Sequence, residues 1–247
     1  MYKILASLFV AVALSACSEE AADVAAVIDT PKTAVPEMAA AVDKPNAPKA
    51  VVEQSVVVTP AAGKYVAGKH YRVLSRALPT NNPNKVEVAE FFWYGCSHCY
   101  TFEALAKPYK KGLPDAIEFV AIPAMWNDTM VVHAKAFYAA KVLNKPALHD
   151  AIFEAMNVHR KRLSSVSEVA KLFAEHGVDK DEAVKLLSSF GVSAQVNKAR
   201  SLAAGAKLSG TPTLMVNGKY VVESGMAGSQ AEMLKVADYL AKLEVSR

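Results

Sequence analysis

Two cysteines two residues apart, in the run Cys96-Ser97-His98-Cys99, are the residues of this chain best suited to do chemistry. They follow an apolar stretch, Lys85 to Phe92, that reads as a strand buried on both faces, and they open a helical pattern running from Cys96 to Lys111. A sulfur at the start of a helix faces free backbone N–H groups and the positive end of the helix dipole, both of which favour an anion. The thiolate is the reactive form, and such placement draws a cysteine pKa from about 8.5 to within roughly 3.5–7.5. Cys96 therefore reads as the attacking sulfur and Cys99, one turn inside, as the thiol that resolves a mixed disulfide. A protonated His98 between them adds positive charge beside Cys96, which stabilises the reduced form and makes the disulfide a stronger oxidant.

Other uses of the pair fit less well. A purely structural bridge over so short a loop removes little chain entropy and stabilises a fold poorly. Zinc needs four ligands, and His70, His133, His149, His159 and His176 show no ligand-type spacing to the pair. Haem attachment needs a histidine directly after the second cysteine, where this chain has Tyr100.

The elements that must position the pair can be read around it. Tyr71 to Leu74 is a short strand candidate, Ile117 to Pro123 is a strand after the Cys96–Lys111 helix, and Pro108 should kink or interrupt that helix. Strand, helix, strand makes a parallel crossover the economical topology. Residues 129–208 read almost wholly as helix, four or five helices with breaks near Asn144-Lys145-Pro146, Leu163-Ser164-Ser165, Gly177 and Phe190-Gly191. The pattern then returns to strands at Thr213–Val216 and Lys219–Val222, joined by the type I′ hairpin signal Asn217-Gly218, and closes with a helix from about Ser229 to Leu243. This order is that of an α/β, thioredoxin-like fold with an inserted helical subdomain at about 128–208.

A second constellation, Ser209-Gly210-Thr211-Pro212-Thr213, stands at the entrance of the last hairpin. A proline there removes a ladder donor, and a cis bond would expose the preceding backbone edge to an incoming extended peptide. An ordinary loop proline remains the alternative from the motif alone.

Far upstream, Lys3, the eleven-residue apolar run Ile4–Leu14 and the tetrad Leu14-Ser15-Ala16-Cys17 have the layout of a secretory signal ending in a lipobox. Residues 1–16 are thus expected to be a signal peptide, with Cys17 acylated at the mature N-terminus. Export places Cys96 and Cys99 where disulfides persist. Residues 17–63, with Pro31, Pro36, Pro45, Pro48 and Pro60, read as a lipidated, disordered tether with a reach of roughly 35–40 Å. Residues 64–247 form the folded body. Charge divides accordingly: residues 18–60 hold seven acids and three lysines, whereas residues 61–247 carry a net +7.

The stretch Glu90-Phe91-Phe92 through Gly95-Cys96-Ser97-His98-Cys99-Tyr100-Thr101-Phe102-Glu103 resembles the active-site region of the DsbA family of bacterial thiol:disulfide oxidoreductases. Thr211-Pro212-Thr213 and Val216-Asn217-Gly218-Lys219-Tyr220 resemble that family's cis-proline loop and final hairpin. The resemblance covers about residues 64–245. It implies Cys96 as nucleophile, Cys99 as resolving thiol, His98 as tuner of the thiolate, and Thr211 with Pro212 as the peptide-binding edge. It also implies Glu90 as a buried acid that accepts the Cys99 proton, though on spacing alone a surface carboxylate at a strand edge fits equally. Two departures stand out: Ser97 replaces the commoner proline, and the lysine partner of the buried acid is replaced near Ala121.

The whole chain is 247 residues long, 52% hydrophobic and 21% charged, which suits one globular domain plus a tail. Only residues 4–14 form an uncharged apolar run, too short for a bilayer-spanning helix of about 18 residues or more. A net charge of +4 does not by itself imply nucleic acid. No glycine-rich phosphate loop follows the strands, so no metal, nucleotide or other dissociable cofactor is expected beyond the Cys96–Cys99 disulfide. The resulting expectation is a monomeric, lipid-anchored periplasmic dithiol oxidase. It would act on reduced, newly exported proteins and, as the resemblance implies, be reoxidised by a quinone-linked inner-membrane partner of the DsbB type. The alternatives are a reductase or isomerase of the same fold, and a lipoprotein that binds copper or a client through the Cys96–Cys99 loop without catalysis.

Overall fold

The computed structural model describes residues 63–247. The expectations for the signal, Cys17 and the tether up to residue 62 lie outside the described residues. Five strands form one mixed sheet in the order β1-β5-β4-β2-β3, with β1 at Arg72–Val73, β2 at Val86–Phe92, β3 at Ile117–Pro123, β4 at Thr213–Val216 and β5 at Tyr220–Glu223. All seven residues of β2 are buried, the apolar ones as their pattern demands and Glu87 and Glu90 along with them. It pairs in parallel with β3, Glu90 opposite Ala121, and antiparallel with β4, Glu90 opposite Leu214.

Helix α1 (Ser97–Lys111) crosses between β2 and β3 and buries Cys99, Phe102, Glu103 and Ala106. Phe102 and Ala106 pack with Val86 and Val88 of β2 and with α8 (Gln230–Val245), while Ala89 and Phe91 point to the opposite face of the sheet. Of the kink or interruption expected from its residue type, Pro108 does not cause the interruption: α1 runs through it. It stands one turn from the helix end, so it forfeits a single backbone bond, and its cost of about 3 kcal/mol is comparable to the roughly 1.5–3 kcal/mol from burying Phe102 alone.

Between β3 and β4 lie α2 (Asp128–Val142), α3 (Ala147–Asn157), α4 (Val166–Glu175), α5 (Lys180–Leu187) and α6 (Phe190–Gly205), which form the helical insertion. The break expected at Phe190-Gly191 falls earlier. Ser189 caps α6 by accepting a bond from the Val192 N–H, so Phe190 and Gly191 are the first helical residues. The core of the insertion is continuous with Phe92, Tyr94 and Cys99, so it ends directly against the cysteine pair. A one-turn helix, α7 (Ser224–Ala227), precedes α8 and has no counterpart in the sequence reading.

Candidate active site

Cys96 is the N-cap residue of α1, with extended backbone (φ −90°, ψ 113°). The turn Trp93-Tyr94-Gly95 delivers it there: its N–H donates to the Trp93 carbonyl at 3.0 Å, and its own carbonyl accepts the first helical bond from Tyr100 at 3.0 Å. The turn is tight: a Cβ on Gly95 would sit 2.4 Å from the Trp93 ring, which would have to shift to admit it. No acidic residue occupies the first turn of α1 to oppose an anion there.

Both cysteines are free thiols, Cys96 half-buried and Cys99 buried. The Cys96 thiol is drawn down to about 5, chiefly by hydrogen bonding from the Cys99 thiol, assisted by the Thr211 side chain and the N–H groups of Cys99 and His98 against some loss of hydration. Burial, reinforced by the neighbouring Cys96, pushes Cys99 far up. The pair is thus polarised into one half-buried, low-pKa thiol and one buried, protonated thiol. His98 reaches Cys96 through its backbone; its exposed imidazole makes no hydrogen bond among the described residues.

Opposite the sulfur lies the loop before β4. Cys96 Sγ, as a thiol, donates to the Thr211 carbonyl at 3.3 Å, and the Thr211–Pro212 bond is cis. Thr213 anchors the loop by donating its hydroxyl to the Gly210 carbonyl at 2.9 Å, and it pairs with Phe91 across the sheet. The antiparallel pairing of β4 with β2 therefore brings residues 115 positions apart in the chain to one edge.

Glu90 is fully buried, so it is no surface carboxylate, and neither carboxylate oxygen has a hydrogen-bond partner. Burial first, and the negative charge of Glu103 second, push its pKa up to about 8, with Lys110 opposing them. It faces α1 from the same side of β2 as Val88, and with no cation opposite it in register, only Ala121, it stays protonated at neutral pH.

Several neighbours of the site are given no role by the sequence. Gln230, at the start of α8, donates to the His98 carbonyl at 2.7 Å. Glu103 accepts from His149, and that bond together with Lys110 and Lys107 holds its carboxyl below the usual range despite burial. His133 and His149, which lack ligand-type spacing to the cysteine pair, bond Trp93 and Tyr94. Among the described residues no group of three or more His, Cys, Asp or Glu side chains is placed to hold a metal.

The DSBA-like thioredoxin domain family matches residues 109–239. The thiol:disulfide interchange protein DsbA of Pseudomonas aeruginosa is 40% identical over 184 residues, 74% of this chain and 87% of the relative. Its namesake in Azotobacter vinelandii is 39% identical over 180 residues, 72% of this chain and 84% of the relative. The crystal structure of Pseudomonas aeruginosa DsbA superposes with a TM-score of 0.70 at 40% identity, covering 74% of this chain and 95% of that one.

Proposed function

The chain belongs to the DsbA family of thiol:disulfide oxidoreductases, and from that premise we propose a periplasmic protein that hands a Cys96–Cys99 disulfide to reduced, newly exported proteins. A substrate thiolate attacks Cys96 Sγ; the Cys96–Cys99 bond breaks and a substrate–Cys96 bond forms. Cys99 leaves and takes a proton from Glu90, whose protonated carboxyl is available at neutral pH. A second substrate thiolate then attacks the substrate sulfur of the mixed disulfide and releases Cys96 as thiolate. The substrate loses two electrons, which remain on Cys96 and Cys99.

The observation that carries this reading is the half-buried Cys96 at the start of α1, held at about 5 while Cys99 behind it stays protonated. A low-pKa thiol is a fast leaving group, so the second step runs towards oxidised substrate. Thr211 and Pro212 form the edge against which an extended substrate lies, with Thr211 in contact with the reacting sulfur. His98 assists the thiolate through its backbone N–H, and a positive charge on its ring would add to that. A quinone-linked, DsbB-type membrane protein restores the disulfide. Acylated Cys17 anchors the protein to a membrane, and residues 18–63 hold the folded body clear of it.

Oxidised protein mixed with a model peptide holding two thiols tests the reading. The expected result is one peptide disulfide per protein, with none from Cys96→Ala; equal oxidation by both would refute it. Cys17→Ser should abolish incorporation of labelled palmitate and release the protein from membranes, and retained labelling would remove the anchor from the account.

A further inference from the structure

Cys96 hangs from the two aromatic residues Trp93 and Tyr94, and each is held by a histidine of the helical insertion. Trp93 Nε1 donates to His133 Nδ1 of α2 at 2.9 Å. Because the indole can only donate, His133 Nδ1 must accept, and its Nε2–H donates to the Arg162 carbonyl at 3.1 Å. Burial lowers the His133 pKa, which keeps the neutral ring that this pattern needs.

The grip on Tyr94 is more extensive. His149, Phe153 and Asn157 are spaced four residues apart and so form one stripe along α3. His149 Nδ1 lies 2.8 Å from the Tyr94 hydroxyl, the Phe153 ring meets the Tyr94 ring edge-on at 4.8 Å, and Asn157 Nδ2 donates to the Tyr94 carbonyl at 2.8 Å. One helix thus touches the hydroxyl, the ring and the backbone of a single buried residue two positions before the nucleophile. His149 Nε2 reaches Glu103 Oε1 of α1 at 3.4 Å, so the same imidazole spans the turn and the helix between which Cys96 sits.

We infer that the helical insertion sets the position of the nucleophile: His149 and Asn157 of α3, with His133 of α2, are positioning residues that hold the Trp93-Tyr94-Gly95 turn so that Cys96 Sγ meets the N–H groups of α1 and the Thr211 edge together. The hydrogen bonds around the sulfur depend steeply on distance and angle. A turn released from α3 relaxes by moving Tyr94, and Cys96 moves with it through its bond to Trp93. The insertion is then part of the redox machinery as well as a cover for the sheet.

The inference rests on the oxidase reading, and the test separates the two. The thiolate absorbance of Cys96 is titrated in the full-length reduced protein and in Tyr94→Phe, His149→Phe, Asn157→Ala and the Tyr94→Phe/His149→Phe double variant. Ser165→Ala, which weakens the cap of α4 without touching the turn, is the control for lost stability. The expected result is a thiolate midpoint raised by about half a unit or more in each single variant, a less than additive shift in the double variant, and no shift in the control. Unchanged midpoints in Tyr94→Phe and Asn157→Ala, whatever their melting temperatures, would overturn the positioning role, as would an equal shift in Ser165→Ala. A wild-type midpoint near that of an ordinary thiol would instead refute the oxidase reading.

Discussion

Cys96 owes its reactivity to what surrounds its sulfur in the fold, and that dependence entails a linkage between pH and stability. Its folded pKa, about 5, lies below the ordinary thiol value of 9.0. The reduced protein therefore gains stability that is fully present above pH 9 and is lost as pH falls through about 5. The oxidised protein has no Cys96 thiol and lacks this contribution. The difference in urea midpoint between reduced and oxidised forms should grow from pH 4 to pH 8; a constant difference would show that the thiolate is not held by the fold. Glu90 runs with the opposite sign. Its pKa is raised from 4.5 to about 8, so its contribution is full below pH 4.5 and is lost as pH rises through 8. Glu90→Leu removes a buried carboxyl with no hydrogen-bond partner and should raise stability at pH 8 by roughly 1–3 kcal/mol, with a smaller gain at pH 4. The same variant should slow peptide oxidation. Urea unfolding at the two pH values and a stopped-flow assay check both parts.

At the scale of elements, α1 is both cradle and conduit. Its N-terminus holds the anion and its buried face covers Glu90, while Lys110 and Lys111 stand in the last turn, where the dipole favours cations. The hairpin that carries the Thr211 edge depends on Asn217 and Gly218, both with positive φ (49° and 64°), as the Asn-Gly pair indicates in sequence. A Cβ on Gly218 would lie 2.1 Å from the Leu78 carbonyl oxygen, whose own N–H bonds the Gly218 carbonyl. Gly218→Ala should therefore cost more than about 2 kcal/mol, whereas Ser165→Ala, which breaks the Ser165–Glu168 capping box, should cost only about 1 kcal/mol. Urea denaturation of the two variants ranks them, and a near-neutral Gly218→Ala would contradict the close approach. Strands β2 to β5 were legible because apolar runs and turn residues are local signals. Pro108 and Phe190-Gly191 misled for the same local reason: a residue's average preference yielded to the packing of Phe102 in one case and to the Ser189 cap in the other.

Over the whole molecule, the sheet brings together groups that are remote in sequence, which explains what the sequence revealed and what it hid. Cys96, Cys99, Thr211 and Pro212 were legible because their residue types announce redox and loop chemistry, and Glu90 because it sits in a recognisable motif. The contacts of Trp93 with His133 and of Tyr94 with His149 join positions 40 and 55 residues apart, and no local pattern records such pairs. Burial of Glu90 was implied by the resemblance but not by spacing alone, since it follows from α1 lying over β2. The proposed oxidase requires that these contacts leave the disulfide less stable than its dithiol. Equilibration of the full-length protein with glutathione buffers, read by separating oxidised from reduced forms, measures that directly. The account predicts a reduction potential less negative than about −200 mV, and a value near −270 mV, typical of the reductant thioredoxin, would contradict it.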